Sequence, residues 1–318
     1  MEANKPLIIF DTDMDTDCDD VGALAMLLTA HTSKKIELLG IVTDSVSKYA
    51  APFSEVITRY YKTDIPIGAV HEGDYNDTEF NLARFEKYRS LSKWCIDNGK
   101  AYNITLSEKL GKTDRDYPKA SSVYRELLSK AEDNSVTVLC VGMLTAIAEA
   151  LESQPDGISP LSGAELFSKK VKCVITMGTP EIVNDFNWGM DAYATERFFE
   201  LCPTPVFITP EGEKIITGEH LTAKLCDTHP LRRAYEIWLG KENTGRSSWD
   251  LIATLYAINP DTSLISVSDL GVCRYSAEEK RSYVIKSEPV KCRLLQIDCD
   301  DAFMAKLLNG RMLGDFTV

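Results

Sequence analysis

The sequence predicts an α/β protein: an open, mostly parallel β-sheet with helices on both faces, a Rossmann-like core, and a late β-hairpin. Two observations predict it. Short apolar runs alternate with helix-like stretches along most of the chain, which is the pattern of strand–helix–strand crossovers. The 318 residues suffice for a sizeable core, and α/β folds of this length are commonly one unit, so residues 1–318 are read as a single domain.

The first strand is the apolar run Pro6 to Phe10, and a polar loop follows it directly. Val21 to Ala30 is small and apolar on most faces and reads as a buried helix. Ile36 to Val42 is the next strand, Ala51 to Tyr61 a helix, and Ile65 to Gly68 a short strand. The pattern resumes with a helix at Ser121 to Ala131, a buried strand at Val136 to Val141 and a helix at Thr145 to Glu152. Val171 to Thr176 is a strand, Ala192 to Leu201 a helix, and Pro205 to Thr209 a strand. Trp249 to Ala257 is helical, alternation near Tyr283 and Cys292 suggests the hairpin, and a last helix spans Asp301 to Leu308. Residues 72–115 are polar and fit neither period, and are read as a lid or an insertion.

Composition narrows the function. A net charge of −13 without a Lys/Arg block disfavours nucleic-acid binding and suits a cation. Nine cysteines, an odd number without a C-x-x-C, argue against a disulfide framework and a zinc ribbon, and point to reduced thiols in the cytoplasm. The first residues have no leader-like apolar stretch, and no run is long enough to span a membrane.

In open parallel sheets, ligands sit outside the carboxyl ends of the strands. The loop after the first strand is there, and it carries Asp11, Asp13, Asp15, Asp17, Asp19 and Asp20, six carboxylates in ten residues. A solvated turn would tolerate them. Held between a buried strand and an apolar helix, they need a positive partner, and a hard cation with oxygen ligands supplies one. Two cation-dependent motifs fail. An EF-hand loop starting at Asp13 would need Gly where Cys18 stands and Glu where Leu24 stands. The D-x-D-x-[TV] pattern of haloacid-dehalogenase-type phosphatases meets Asp15 or Asp17 at its fifth position.

The stretch DTDMDTDCDDVGAL resembles the amino-terminal motif of the nucleoside hydrolase family (inosine-uridine preferring nucleoside hydrolase-like), in a longer version, D-T-D-M-G-N-D-V-D-D-A-L, that some members carry. Asp15 stands where that motif has Gly. The resemblance continues in the family's order. Val141 to Ala148 is similar to its G-x-L-T-N-[IL]-A turn, with Ala146 for Asn; Met177-Gly178 to its M-G-G; Asp185-Phe186-Asn187 to its E-F-N; and Trp249-Asp250 to its [HW]-D-P-x-A.

The resemblance implies calcium-dependent hydrolysis of the N-glycosidic bond of ribonucleosides. It implies Ca2+ held by Asp13, Asp20, the carbonyl of Val141 and Asp250, with Asp13 as general base. Asp19, Asp185 and Asn187 would hold ribose hydroxyls, Met177 would bind the substrate, and Trp249 would stack on the base. His220, His229, Tyr235 and Trp238 lie in a region that approaches the base in the family. The Asn that follows the second strand in many members is missing, leaving Asp44 or Ser45 in its region. A homodimer or homotetramer acting on a small nucleoside is implied. The alternatives are a non-catalytic protein that binds calcium and a ribosyl ligand, and a phosphatase.

Overall fold

The computed structural model describes residues 5–240, 245–286 and 289–317; the leader reading of residues 1–4 lies outside them. In chain order the elements are β1 (Leu7–Thr12), α1 (Asp19–Thr32), β2 (Glu37–Thr43), α2 (Ala50–Tyr60), β3 (Ile67–Ala69), α3 (Glu79–Arg84), α4 (Glu86–Asp97), α5 (Tyr102–Ser107) and α6 (Ala120–Lys130). There follow β4 (Val136–Cys140), α7 (Thr145–Glu152), α8 (Gly163–Lys170), β5 (Val171–Met177), α9 (Ala192–Leu201), β6 (Val206–Thr209), β7 (Ile216–Thr217), α10 (Leu221–Lys224) and α11 (Pro230–Leu239). The chain continues with β8 (Arg246–Ser247), α12 (Trp249–Ile258), β9 (Ile265–Ser276), β10 (Arg281–Ile285), β11 (Cys292–Ile297) and α13 (Asp301–Met312). No helix among the described residues is long and apolar enough to cross a membrane.

Among the described residues, nine strands form one sheet in the order β10-β9-β11-β6-β5-β4-β1-β2-β3, parallel from β3 through to β11. Successive side chains of a strand face opposite sides. Ile8 and Phe10 of β1 therefore enter the core beneath α1, α2, α11, α12 and α13, while Ile9 enters the one beneath α6, α7 and α9. The expected open sheet with helices on both faces is present. β1 lies between β2 and β4, so the strand order reverses there and a crevice opens at the carboxyl ends of β1 and β4.

Helix α1 has no polar face because none of its first twelve residues meets solvent. A Cβ on Gly22 would stand 2.7 Å from the Tyr235 hydroxyl and 3.1 Å from Leu251 Cδ1, so the glycine lets α11 and α12 close on α1.

The late hairpin is β9–β10, and its pairing differs from the expectation. Tyr283 lies in β10 and Cys292 in β11, and the two strands flank β9 on opposite edges, both antiparallel to it. Alternation identifies strands but not their partners, and three successive exposed residues of β9, Val267, Ser268 and Asp269, interrupt its period. Residues 72–115 hold α3, α4 and α5 with short 3₁₀ turns.

Candidate active site

Strand β1 ends at Thr12 and delivers the acidic loop to the crevice. Met14 turns the loop with a φ of 46°, a left-handed conformation, and Asp15, which stands at the motif's Gly, does not need one. The loop ends as Asp19 and Asp20 enter the first turn of α1; Asp250 enters the first turn of α12. Both helices thus aim their N-terminal N–H groups at the same place, which favours negative charge there. The backbone N–H of Asp250 donates to Asp19 Oδ2 at 3.2 Å.

Carboxylate oxygens of Asp19, Asp20 and Asp250 lie within 4.8 Å of one another, all three residues buried. Asp13 adjoins this trio closely enough for its charge to act on the Asp20 carboxyl. It also accepts from the Thr16 hydroxyl at 2.6 Å, and its backbone carbonyl takes the Ser45 hydroxyl at 2.7 Å. The Thr12 hydroxyl donates to Asp20. Burial pushes all four carboxyl groups up from their usual range, and repulsion from neighbouring carboxylates, Asp17 included, adds to it. Their donor set is wholly oxygen, with more negative charge than two helix ends offset. These residues fit a hard divalent cation.

Val141 follows β4, and its carbonyl accepts from the Asn187 side-chain amide at 2.6 Å, leaving one lone pair. The same amide lies 3.3 Å from Met177 Sδ. Gly142 is required here: a Cβ would stand 2.5 Å from the Asp13 nitrogen and 2.6 Å from Asp44 Oδ2. Asp185 is buried and accepts from the backbone N–H groups of Thr179 at 2.9 Å and Trp188 at 3.0 Å, so it also organises its own turn. Lys87 of α4 braces that turn, donating to the carbonyls of Asp185 at 3.2 Å and Phe186 at 3.1 Å. Trp249 is half-buried, with the Arg246 guanidinium over its ring at 5.0 Å.

The expected residues Asp13, Asp20, Asp250, Val141, Met177 and Asn187 come together, with Asp19 in the carboxylate group rather than apart from it. The four residues of the base-facing region do not join them. His229 caps α11, its Nδ1 accepting from Leu231 N–H at 3.2 Å, and burial lowers its pKa to about 4. His220 is exposed, and Tyr235 and Trp238 are packed in the core.

The tyrosines and the asparagine around the loop carried no sequence signal. The Tyr88 hydroxyl donates to Asp15, and burial pushes that carboxyl up to about 8. Tyr102 donates to the Asp17 carbonyl at 2.5 Å, and Asn103 reaches Ser47 Oγ at 3.4 Å. Asp11 beneath the loop accepts from the Tyr124 hydroxyl at Oδ2, while its Oδ1 and both Asp44 oxygens are buried without a hydrogen-bond partner; burial pushes Asp11 up to about 7. Asp44 is fully buried, and burial together with the Asp11 charge raises its carboxyl well above the usual range.

Comparison with known proteins agrees with this architecture. The fold is similar to that of the inosine-uridine preferring nucleoside hydrolase from Bacillus anthracis, with a TM-score of 0.61 and 16% identity over 98% of this chain and 99% of that one. It is similar to an inosine-guanosine nucleoside hydrolase, with a TM-score of 0.66 and 16% identity over 98% of each chain. It is also similar to the type III effector protein XopQ, solved with adenosine diphosphate ribose, with a TM-score of 0.68 and 13% identity over 98% of this chain and 94% of that one. No curated protein sequence matches the chain. The family described as inosine-uridine preferring nucleoside hydrolase matches residues 8–300, and the chain belongs to that family.

Proposed function

We propose that the chain hydrolyses the N-glycosidic bond of ribonucleosides to ribose and free base, with calcium as its cation. The observation that carries the reading is the meeting of buried carboxylates at the starts of α1 and α12 beside Asp13. In this reading Asp13, Asp20, Asp250 and the Val141 carbonyl hold the ion. When bound, calcium would offset the carboxylate repulsion and orient a water and two ribose hydroxyls.

Asp13 takes the proton of the attacking water, its carboxylate oriented by the Thr16 hydroxyl. As the C–N bond lengthens, its electron pair passes to the base, which leaves by taking a proton from solvent water, and the positive charge growing on the ribosyl ring is stabilised by the carboxylates of Asp19 and Asp185. Asp19, Asp185 and Asn187 hold ribose hydroxyls beside Met177, at about 1.5–3 kcal/mol for each charge-assisted contact. Attack by a separately held water inverts the anomeric carbon. Trp249, whose ring also carries the Arg246 guanidinium, stacks on the base. A single domain with residues 72–115 as cover, a homodimer or homotetramer, and a cytoplasmic location complete the proposal; light scattering tests the oligomer.

One observation favours a second reading, a non-catalytic protein that binds calcium and a ribosyl ligand. The Asn187 amide is already taken by the Val141 carbonyl and lies against Met177. The adenosine diphosphate ribose bound to XopQ suggests the ligand class. Release of free base from a panel of purine and pyrimidine ribonucleosides, with calcium and with chelator, separates the two. Calcium-dependent release supports the hydrolase. Calcium binding without turnover on any substrate supports the binding protein.

A further inference from the structure

Asp17, one of the residues that lengthen the acidic loop, has no part in the proposed chemistry, yet it is held from several sides. Arg246 grips its carboxylate with a two-pronged ion pair: Nε lies 2.9 Å from Oδ1 and 3.0 Å from Oδ2, and Nη2 donates to Oδ2. The Cys18 N–H caps Oδ1 at 2.7 Å, and the Tyr102 hydroxyl holds the Asp17 carbonyl at 2.5 Å. The Arg246 guanidinium also rests on Trp249. Asp17 lies just before Asp19 and Asp20, and Arg246 just before Asp250. The pair therefore bridges the starts of α1 and α12, next to the hydrogen bond from Asp250 to Asp19. Exposed ion pairs contribute little, but this one is forked, and its side chains are only 32% and 14% exposed.

We propose that the Asp17–Arg246 ion pair is a positioning latch that sets the separation between the carboxylates of α1 and that of α12, and with it the site's affinity for a divalent cation. The inference rests on the reading of Asp20 and Asp250 as ligands of that cation.

A latch and a simple field effect differ in sign. Removing the Arg246 charge makes the cluster more negative and would tighten a cation by Coulomb attraction, whereas removing the Asp17 charge would loosen it. A latch loosens the site in both cases, because either change frees the loop from β8.

The test is calorimetric titration of the full chain with calcium. It compares wild type with Arg246→Gln, Arg246→Lys, Asp17→Asn and the Asp17→Asn/Arg246→Gln double variant. Asp250→Asn serves as ligand control. Arg125→Gln serves as control for general destabilisation, since Arg125 is buried and forks onto Asp156, with its other bonds to Ser153, Ser159 and Leu161. We expect Arg246→Gln and Asp17→Asn each to weaken calcium by about tenfold, the size typical for partners that orient metal ligands. Arg246→Lys falls between, and the double variant is no weaker than either single one. Tighter or unchanged binding in Arg246→Gln, or an equal loss in Arg125→Gln, overturns the latch while the site reading stands. Absence of calcium binding by wild type, or its full retention in Asp250→Asn, overturns the site reading and the latch with it.

Discussion

The side-chain amide of Asn187 donates to the backbone carbonyl of Val141 at 2.6 Å, joining the turn after β5 to the end of β4. A residue assigned to the sugar thus orients a carbonyl assigned to the cation. Asn187→Ala is expected to raise KM for nucleosides and also to weaken calcium by about tenfold, as loss of a ligand's hydrogen-bond partner does. Calorimetry against the kinetic constants checks it; unchanged calcium affinity would confine Asn187 to the sugar.

Asp13 carries the proton transfer in the proposed reaction. Asp13→Asn should lower kcat by about 10²–10⁴-fold, the usual range for a general base. Steady-state turnover with calcium in excess measures this, and near wild-type turnover would move the base elsewhere.

Trp249→Ala should raise KM for purine nucleosides by roughly threefold to tenfold more than for pyrimidine nucleosides, because the larger base gains more from stacking. Equal losses on both classes would leave Arg246 support, not stacking, as the role of the ring.

The Asp15 carboxyl, at about 8 against an ordinary 3.8, keeps a proton that the unfolded chain has released over the intervening pH range. The folded state binds more protons there. This group's stabilisation is full below the unfolded value and is lost as pH rises through the folded one. In chelator, the urea midpoint of wild type should fall between about pH 5 and about pH 8, and Asp15→Asn, fixed in the neutral form, should fall less. Equal slopes for the two proteins would contradict the assignment.

His229 acts with the opposite sign. Its folded value of about 4 lies below the ordinary 6.5, so its stabilisation is present above the unfolded value and is lost as pH falls through the folded one. His229→Asn, which can still cap α11, should flatten that acid limb and leave the pH profile of kcat alone. A shifted kcat profile would give His229 a part in the reaction.

The acidic loop was legible because three local signals coincide there: an apolar strand, closely spaced carboxylates and an apolar helix. Asp250 was legible only through the resemblance, since one Asp at a helix start is otherwise an ordinary first-turn residue. Arg246, Tyr88 and Tyr102 were not legible, because their partners in the loop lie 229, 73 and 85 residues away and leave no period in the sequence. Helix α8 was missed for a different reason. Only Gly163, Leu166 and Phe167 of its eight residues are buried, too short a stripe to read as a helix. The pairing of β9 was lost because a strand flanked on both edges by antiparallel neighbours carries the same alternation as a simple hairpin arm.

The hydrogen bond between Asp19 and Asp250 joins residues 231 positions apart. On an emerging chain, α1 is made long before α12 exists, and until α12 docks the carboxylates at the start of α1 stay hydrated. Drying them is costly, and that cost falls due only when the late helix arrives with its own N–H to meet them. The order of synthesis thus keeps the most highly charged part of the crevice open to water until last, and a chain cut short before α12 would hold the loop without the enclosure that gives it its chemistry.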